Sequence, residues 1–241
     1  KRIDLTVSLW RTPDDDDKAK YHEIFQHFAD AIYEMSNGAH VIGTITVYQN
    51  KENWRSANVQ WSENVWPKAT TSGYGNSGDH VKMADVFAFD APYDALSSTH
   101  LQGTGYALAH EWGHYYQDNF SRDDSIGGPH SLNERLDPRV AFSEGWGNAF
   151  AAMVEGDTVY RDSFGALQRS DFAIDVENNQ VNFPGWFNEA SVQSIFYDIF
   201  DAANDGVDTV SLGFGPIHAA MRGPIRNSAG FTSIHALVNA L

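Results

Sequence analysis

The pentapeptide His110-Glu111-Trp112-Gly113-His114 constrains this chain more than any other stretch, because it spells H-E-x-x-H inside a run that reads as helix. Residues i and i+4 of a helix sit one above the other, so both imidazoles can close on one metal ion. Glu111 is turned about a quarter of a revolution away, near enough to take a proton from a water without ligating the metal. With the ten His and ten Glu of this chain, the pattern arises by accident in roughly one or two such sequences per hundred. The lead-in Gly103-Thr104-Gly105-Tyr106-Ala107-Leu108-Ala109 is small and apolar. Such a helix packs deep, where an uncompensated His or Glu is costly to bury and a bound metal removes the cost.

Two histidines do not complete a zinc site; a third protein ligand is needed, with water in the fourth position. An extension that puts a further His six residues after His114 is excluded, because Phe120 stands there. The stretch from Arg139 to Met153 reads as a second helix, with Pro138 near its start and apolar residues at 142, 146, 149/150 and 153. It carries Glu144 beside Gly145 and Gly147, which let another helix approach closely. Glu134 and Asp137 are rival carboxylates, in a Pro- and Gly-rich stretch without the helical frame that a rigid ligand favours.

The motif together with Glu144 resembles the gluzincin metallopeptidases, over about Gly103 to Met153. The resemblance implies that His110, His114 and Glu144 ligate zinc and that Glu111 is the general base. Asn148, one turn beyond Glu144, takes the place of the polar residue that buttresses a ligand histidine in thermolysin-like members, where Asp is usual. The implied fold is α+β and zincin-like, with an amino-terminal sheet lobe and a mostly helical carboxy-terminal lobe around an active-site cleft. Residues 1–241 then form one metallopeptidase catalytic domain, with sub-lobes of about 1–118 and 119–241. The Gly-x-Met-Glu-Asn element that recognises a free amino terminus is absent, so the implied activity is internal cleavage of a peptide or protein substrate.

The stretch from Gly185 to Asp201 resembles the helix that in thermolysin-like and fungalysin-like enzymes is preceded by a catalytic donor, but no His stands before it here. Tyr197, Tyr160, His218 and His130 are the candidates for that donor. Tyr197 is the first choice, since a phenol donates a hydrogen bond at neutral pH without needing a charge.

Charge narrows the partners. An excess of 32 acidic over 16 basic residues, a formal −16, repels nucleic acid and anionic membrane surfaces. No run of eighteen apolar residues provides a membrane span. The chain has no Cys and therefore neither disulfides nor thiol chemistry. The expectation is an extracellular or periplasmic protein excised from a longer precursor. A zinc-stabilised binding or adhesion module, and a zinc hydrolase acting on a non-peptide bond, are the other two readings.

Elsewhere the pattern predicts a strand over Ile3–Trp10 and a helix over Lys18–Ser36, with the negative charges of Asp14 to Asp17 at the positive end of its dipole. Strands follow at Val41–Tyr48 and, after a Gly/Ser-rich turn at Thr71–Gly78, at Val81–Phe89. The last of these is the expected edge on which a substrate backbone adds as an extra strand. Helices dominate from Gly103 onward. The acidic loop Asp201–Asp208 reads first as a solvated loop that stops the helix and second as a Ca2+ site, since it fails the EF-hand pattern at Ala203 and Leu212.

Overall fold

The computed structural model describes residues 1–35, 38–62, 70–72, 80–84, 97–164, 170–178, 180–202 and 209–241. They are a mixture of helix and sheet, as the α+β expectation requires. The chain divides into two compact units, Lys1–Glu111 with Arg161–Ala173, and Trp112–Tyr160 with Ile174–Leu241.

The first unit begins as a strand, a helix and a parallel strand: β1 (Arg2–Leu9), α1 (Asp15–Met35) and β2 (Val41–Tyr48). Two parallel strands cannot be joined by a tight turn, and the helix is the crossover. It starts earlier than predicted because Asp14 caps it, its carboxylate accepting the Asp17 N–H at 2.8 Å. Asp17 is buried and paired with Arg11 at 2.5 Å, so the acidic run is part of the fold. Tyr21, Ile24, Phe25, Phe28 and Ile32 recur at helical spacing along one buried face of α1. Tyr21 and Phe25 meet the edge of Trp61 at ring-centroid distances of 5.2 and 5.7 Å.

A short 3-10 turn (Trp54–Ser56) leads to β3 (Val59–Ser62), and β4 (Thr70–Ser72) and β5 (His80–Ala84) complete a five-stranded sheet in the order β2-β1-β3-β5-β4. The pairs β1/β2, β1/β3 and β3/β5 are parallel, and β4/β5 is antiparallel. One expectation is corrected here. β5 is hydrogen-bonded by β3 on one side and, at His80–Lys82, by β4 on the other, so these residues offer no free edge to a substrate. Thr71 and Ser72 of the predicted turn belong to β4, and residues 73–78 of that turn and 85–89 of the predicted strand lie outside the described residues.

Helix α2 (Ser97–Phe120) carries the H-E-x-x-H motif and is continuous across the division between the units, which falls after Glu111. The second unit is organised on α3 (Pro138–Glu155), buried along nearly its whole length from Val140 to Val154. Asp137 caps its start, Pro138 occupies the first turn, where a missing N–H costs nothing, and Gly156 ends it at φ 66°. Trp146 and Phe150 on α3, Tyr116 on α2 and Phe214 at the start of α5 (Phe214–Ala220) form one aromatic cluster. Phe196 on α4 (Glu189–Phe200) packs against Trp146 at 5.1 Å. A π-helical turn (Met221–Ile225) containing Pro224 follows α5, and α6 (Ile234–Ala240) ends the chain. A two-stranded sheet of β6 (Val159–Phe164) and β7 (Ser170–Asp175) interrupts the run of helices expected after Gly103. Among the described residues no helix is long and apolar enough to cross a membrane. Of the acidic loop that suggested calcium, residues 203–208 lie outside the described residues.

Candidate metal centre

Two glycines set the crossing of α2 and α3. A Cβ added to Gly113 would come within 3.2 Å of the Gly147 Cα, and Trp146 Nε1 donates to the Gly113 carbonyl at 2.8 Å. With the helices this close, Glu144 lies beside the histidine one residue beyond Gly113. Its Oε2 is 3.4 Å from His114 Nε2, and each side chain is 13% exposed. His110, one turn earlier on α2, is buried and completes a group of three donors whose ligand atoms all lie within 4.8 Å of one another.

Zinc takes N and O ligands at about 2.0–2.2 Å, so tetrahedral geometry puts donors about 3.3 Å apart. The His114–Glu144 spacing matches this, and two imidazoles with one carboxylate suit zinc's borderline softness. The donor set therefore fits a zinc ion. Glu111 is buried next to His110 and is not one of the three donors. The rival carboxylates lie elsewhere: Asp137 caps α3 and pairs with Arg139 at 2.8 Å, and Glu134 is exposed, its carbonyl accepting a bond from Asn188.

The polar groups around the three donors differ from those the sequence indicates. Asn148, the expected buttress of a ligand histidine, donates its Nδ2 hydrogen to Gln193 Oε1 at 2.9 Å. Ser143 stands beside His114, its Oγ 3.1 Å from His114 Nδ1 and 3.5 Å from Asp123 Oδ2. Burial pushes the Asp123 carboxyl up, against the pull of the Ser125 N–H.

His130 lies beside Glu144, on the segment between α2 and α3. Its Nε2 is 3.4 Å from Glu144 Oε2, and its Nδ1 is 2.9 Å from Glu189 Oε2. This placement is built by backbone stitching: Asn188 Nδ2 donates to the carbonyls of Leu132 and Glu134, and the Leu136 N–H donates to the Phe187 carbonyl. Asn188 also caps α4, so Glu189 stands in its first turn. A Cβ on Gly145 would fall 2.8 Å from the Glu189 carbonyl oxygen, so the same bare backbone that allows α3 and α4 to touch brings Glu189 to this end of the site. Burial lowers the affinity of His130 for a proton. The hydrogen bond to Glu189 and the charges of Glu144 and Glu189 outweigh it, and its pKa is raised above the ordinary value.

The other three donor candidates are occupied differently. Tyr197 lies eight residues beyond Glu189, about 12 Å along α4. Burial and then the charges of Asp201, Glu177, Asp157 and Asp175 push its hydroxyl up to about 12. The Tyr116 hydroxyl and His218 Nδ1 are 2.6 Å apart in the aromatic cluster, and Tyr160 is buried on β6. Sequence reasoning missed Glu189, Ser143 and Asp123. Two of them carried a local signal: Glu189 directly follows the helix-capping Asn188, and Ser143 directly precedes Glu144.

No curated protein and no solved structure matches this chain. A family model does match, over residues 45–220, a span that includes His110, Glu111, His114, Glu144 and His130. By this match over most of its length, the chain belongs to the family described as the mycolysin C-terminal domain, a domain of mycolysin-type metallopeptidases.

Proposed function

We propose that the chain is the catalytic domain of a zinc endopeptidase of gluzincin type, with residues 1–241 forming one zincin-like unit that cleaves peptide or protein substrates outside the cytoplasm. The observation that carries this reading is a group of three donors on two helices, with Glu111 adjoining it. Structural zinc sites close with four protein ligands, whereas catalytic ones keep three and leave one position open. Among the described residues the group has three.

His110, His114 and Glu144 would hold the zinc ion, which would supply Lewis acidity to a water and to the scissile carbonyl. The Glu111 carboxylate accepts the proton of the attacking water and returns it to the departing amine. His130 replaces Tyr197 as the proposed donor. Its Nε2 faces the site and steadies the developing oxyanion, while the Glu189 bond at Nδ1 fixes the ring.

The family's description as a C-terminal domain favours one second reading, a module that keeps the metal without turnover. Incubation of zinc-loaded protein with an unstructured protein such as casein separates the two. The expected result is cleavage by the parent, with Glu111→Gln keeping zinc but at least about a hundredfold slower, because the amide cannot accept the proton. A zinc-replete parent that cleaves neither casein nor a panel of ester and amide substrates overturns the catalytic reading.

A further inference from the structure

We propose that Ser143 and Asp123 form a hydrogen-bonded relay that fixes the tautomer and aim of His114, and so sets the metal affinity of the centre. This rests on the reading of His114 as a ligand. His114 Nε2 is the atom turned toward Glu144, at 3.4 Å, so Nε2 ligates and Nδ1 carries the ring proton. That proton needs an acceptor, and Ser143 Oγ lies 3.1 Å away. Once the oxygen accepts there, the hydroxyl hydrogen must be donated elsewhere, and Asp123 Oδ2 at 3.5 Å is the acceptor.

The relay is anchored at its far end. Asp123 Oδ1 accepts the Ser125 N–H at 2.8 Å and the Gln117 Nε2 hydrogen at 3.4 Å, which leaves Oδ2 for the serine. Gln117 is fully buried on α2, three residues beyond His114, so the helix that presents the histidine also steadies the carboxylate behind it. Ser143 is 1% exposed within α3. A serine inside a helix commonly bonds back to the carbonyl four residues earlier, whereas the partners of Ser143 are His114 and Asp123. A buried hydroxyl without such partners would be destabilising. Groups of this kind set the orientation and basicity of a ligating imidazole, and their loss typically weakens metal binding about 10–100-fold.

The test measures Zn2+ affinity by competition with a chromophoric chelator, and the visible absorption of the Co2+-substituted protein, for the parent, Ser143→Ala, Asp123→Asn and His114→Ala. The expected result is binding by the parent, drastic loss in His114→Ala, and a loss of about 10–100-fold with a shifted Co2+ band in both relay variants. The metal-free relay variants should melt near the parent temperature, which a purely structural role would not allow. Relay variants with parental affinity and spectrum overturn the relay while His114 stands as a ligand. A His114→Ala protein that binds like the parent overturns the ligand reading itself. If Ser143→Ala does not fold, Asp123→Asn decides, since it lies outside the helix and keeps the shape of the side chain while removing its charge.

Discussion

His130 Nε2 lies 3.4 Å from Glu144 Oε2, the same distance that separates Glu144 from His114 Nε2. One carboxylate oxygen thus faces two imidazoles with different surroundings. The His114 ring is backed by a hydroxyl and sits within the three-donor group. The His130 ring is backed by a carboxylate, lies outside that group and is 36% exposed at its side chain. A ligand is best held as a neutral ring, whereas a donor to a developing negative charge gains from an adjacent carboxylate that favours its proton. Under the proposed function, these surroundings suit His114 to the first role and His130 to the second.

His130→Ala should lower turnover by roughly one to three powers of ten, the range for losing one such donor, with zinc content close to that of the parent. Glu189→Gln should give a smaller loss in the same direction, because it weakens the hold on the ring and leaves the ring in place. Steady-state kinetics with zinc analysis checks both. Parental turnover in His130→Ala removes it from the chemistry, and loss of zinc makes it a ligand.

Tyr197→Phe is the matching control. The carboxylates around Tyr197 are Asp201, Glu177, Asp157 and Asp175. Turnover should stay near the parental value and stability should change by no more than about 1 kcal/mol, the usual net worth of one hydrogen bond. A fall in turnover of ten times or more with stability unchanged would restore Tyr197 as the donor.

Much of the centre was legible because its parts lie on local periods. The spacing of four between His110 and His114 is a helical repeat, and Gly145 and Gly147 mark contacts that bare backbone allows: Gly147 meets Gly113 on α2, and Gly145 meets Val192 and Glu189 on α4. The strand–helix–strand start was readable for the same reason, through the buried face from Tyr21 to Ile32. The relation of His130 to Glu189 was not readable. It spans 59 residues and depends on Asn188 reaching the carbonyls of an irregular segment, which no periodicity encodes. The sequence does not give direction along α4: its first turn meets Gly145, the neighbour of Glu144, and Tyr197 lies about two turns away. Strand order is equally non-local. The pairing of β4 with β5 covers His80–Lys82, the start of the edge that the sequence position of β5 suggested.

Gly145→Ala should be destabilising by about 1–3 kcal/mol, the usual cost of overpacking, even though alanine is the better helix former. The new methyl would stand 2.7 Å from Val192 Cγ1 and 2.8 Å from the Glu189 carbonyl oxygen, and the second of these is backbone that cannot rotate aside. α4 must then shift and carry Glu189 with it. Denaturant unfolding should show the loss, and kinetics should show an effect on turnover larger than that on zinc content. Full stability in this variant would mean that the α3–α4 approach is looser than described.

Asp137→Ala tests how α3 is anchored. The Asp137 carboxylate accepts the Arg139 N–H at 3.0 Å and pairs with the Arg139 side chain, whose hydrogen bonds, followed by that of the backbone, hold the carboxyl down to about 2. A folded-state value below the unfolded one, near 3.9, gives stability that is present in full above about pH 4 and is lost as pH falls toward 2. The alanine variant should therefore unfold at lower denaturant at neutral pH, by about 1 kcal/mol, the typical worth of such a cap. The gap between parent and variant should narrow steadily as pH drops below about 4. Asp137→Asn keeps an acceptor for the cap and loses the charge, so at neutral pH it should fall between the parent and the alanine variant. Urea titrations at a series of pH values give all three results. A gap between parent and alanine variant that is unchanged down to the lowest pH at which the parent is folded would show that the carboxylate charge takes no part in holding α3.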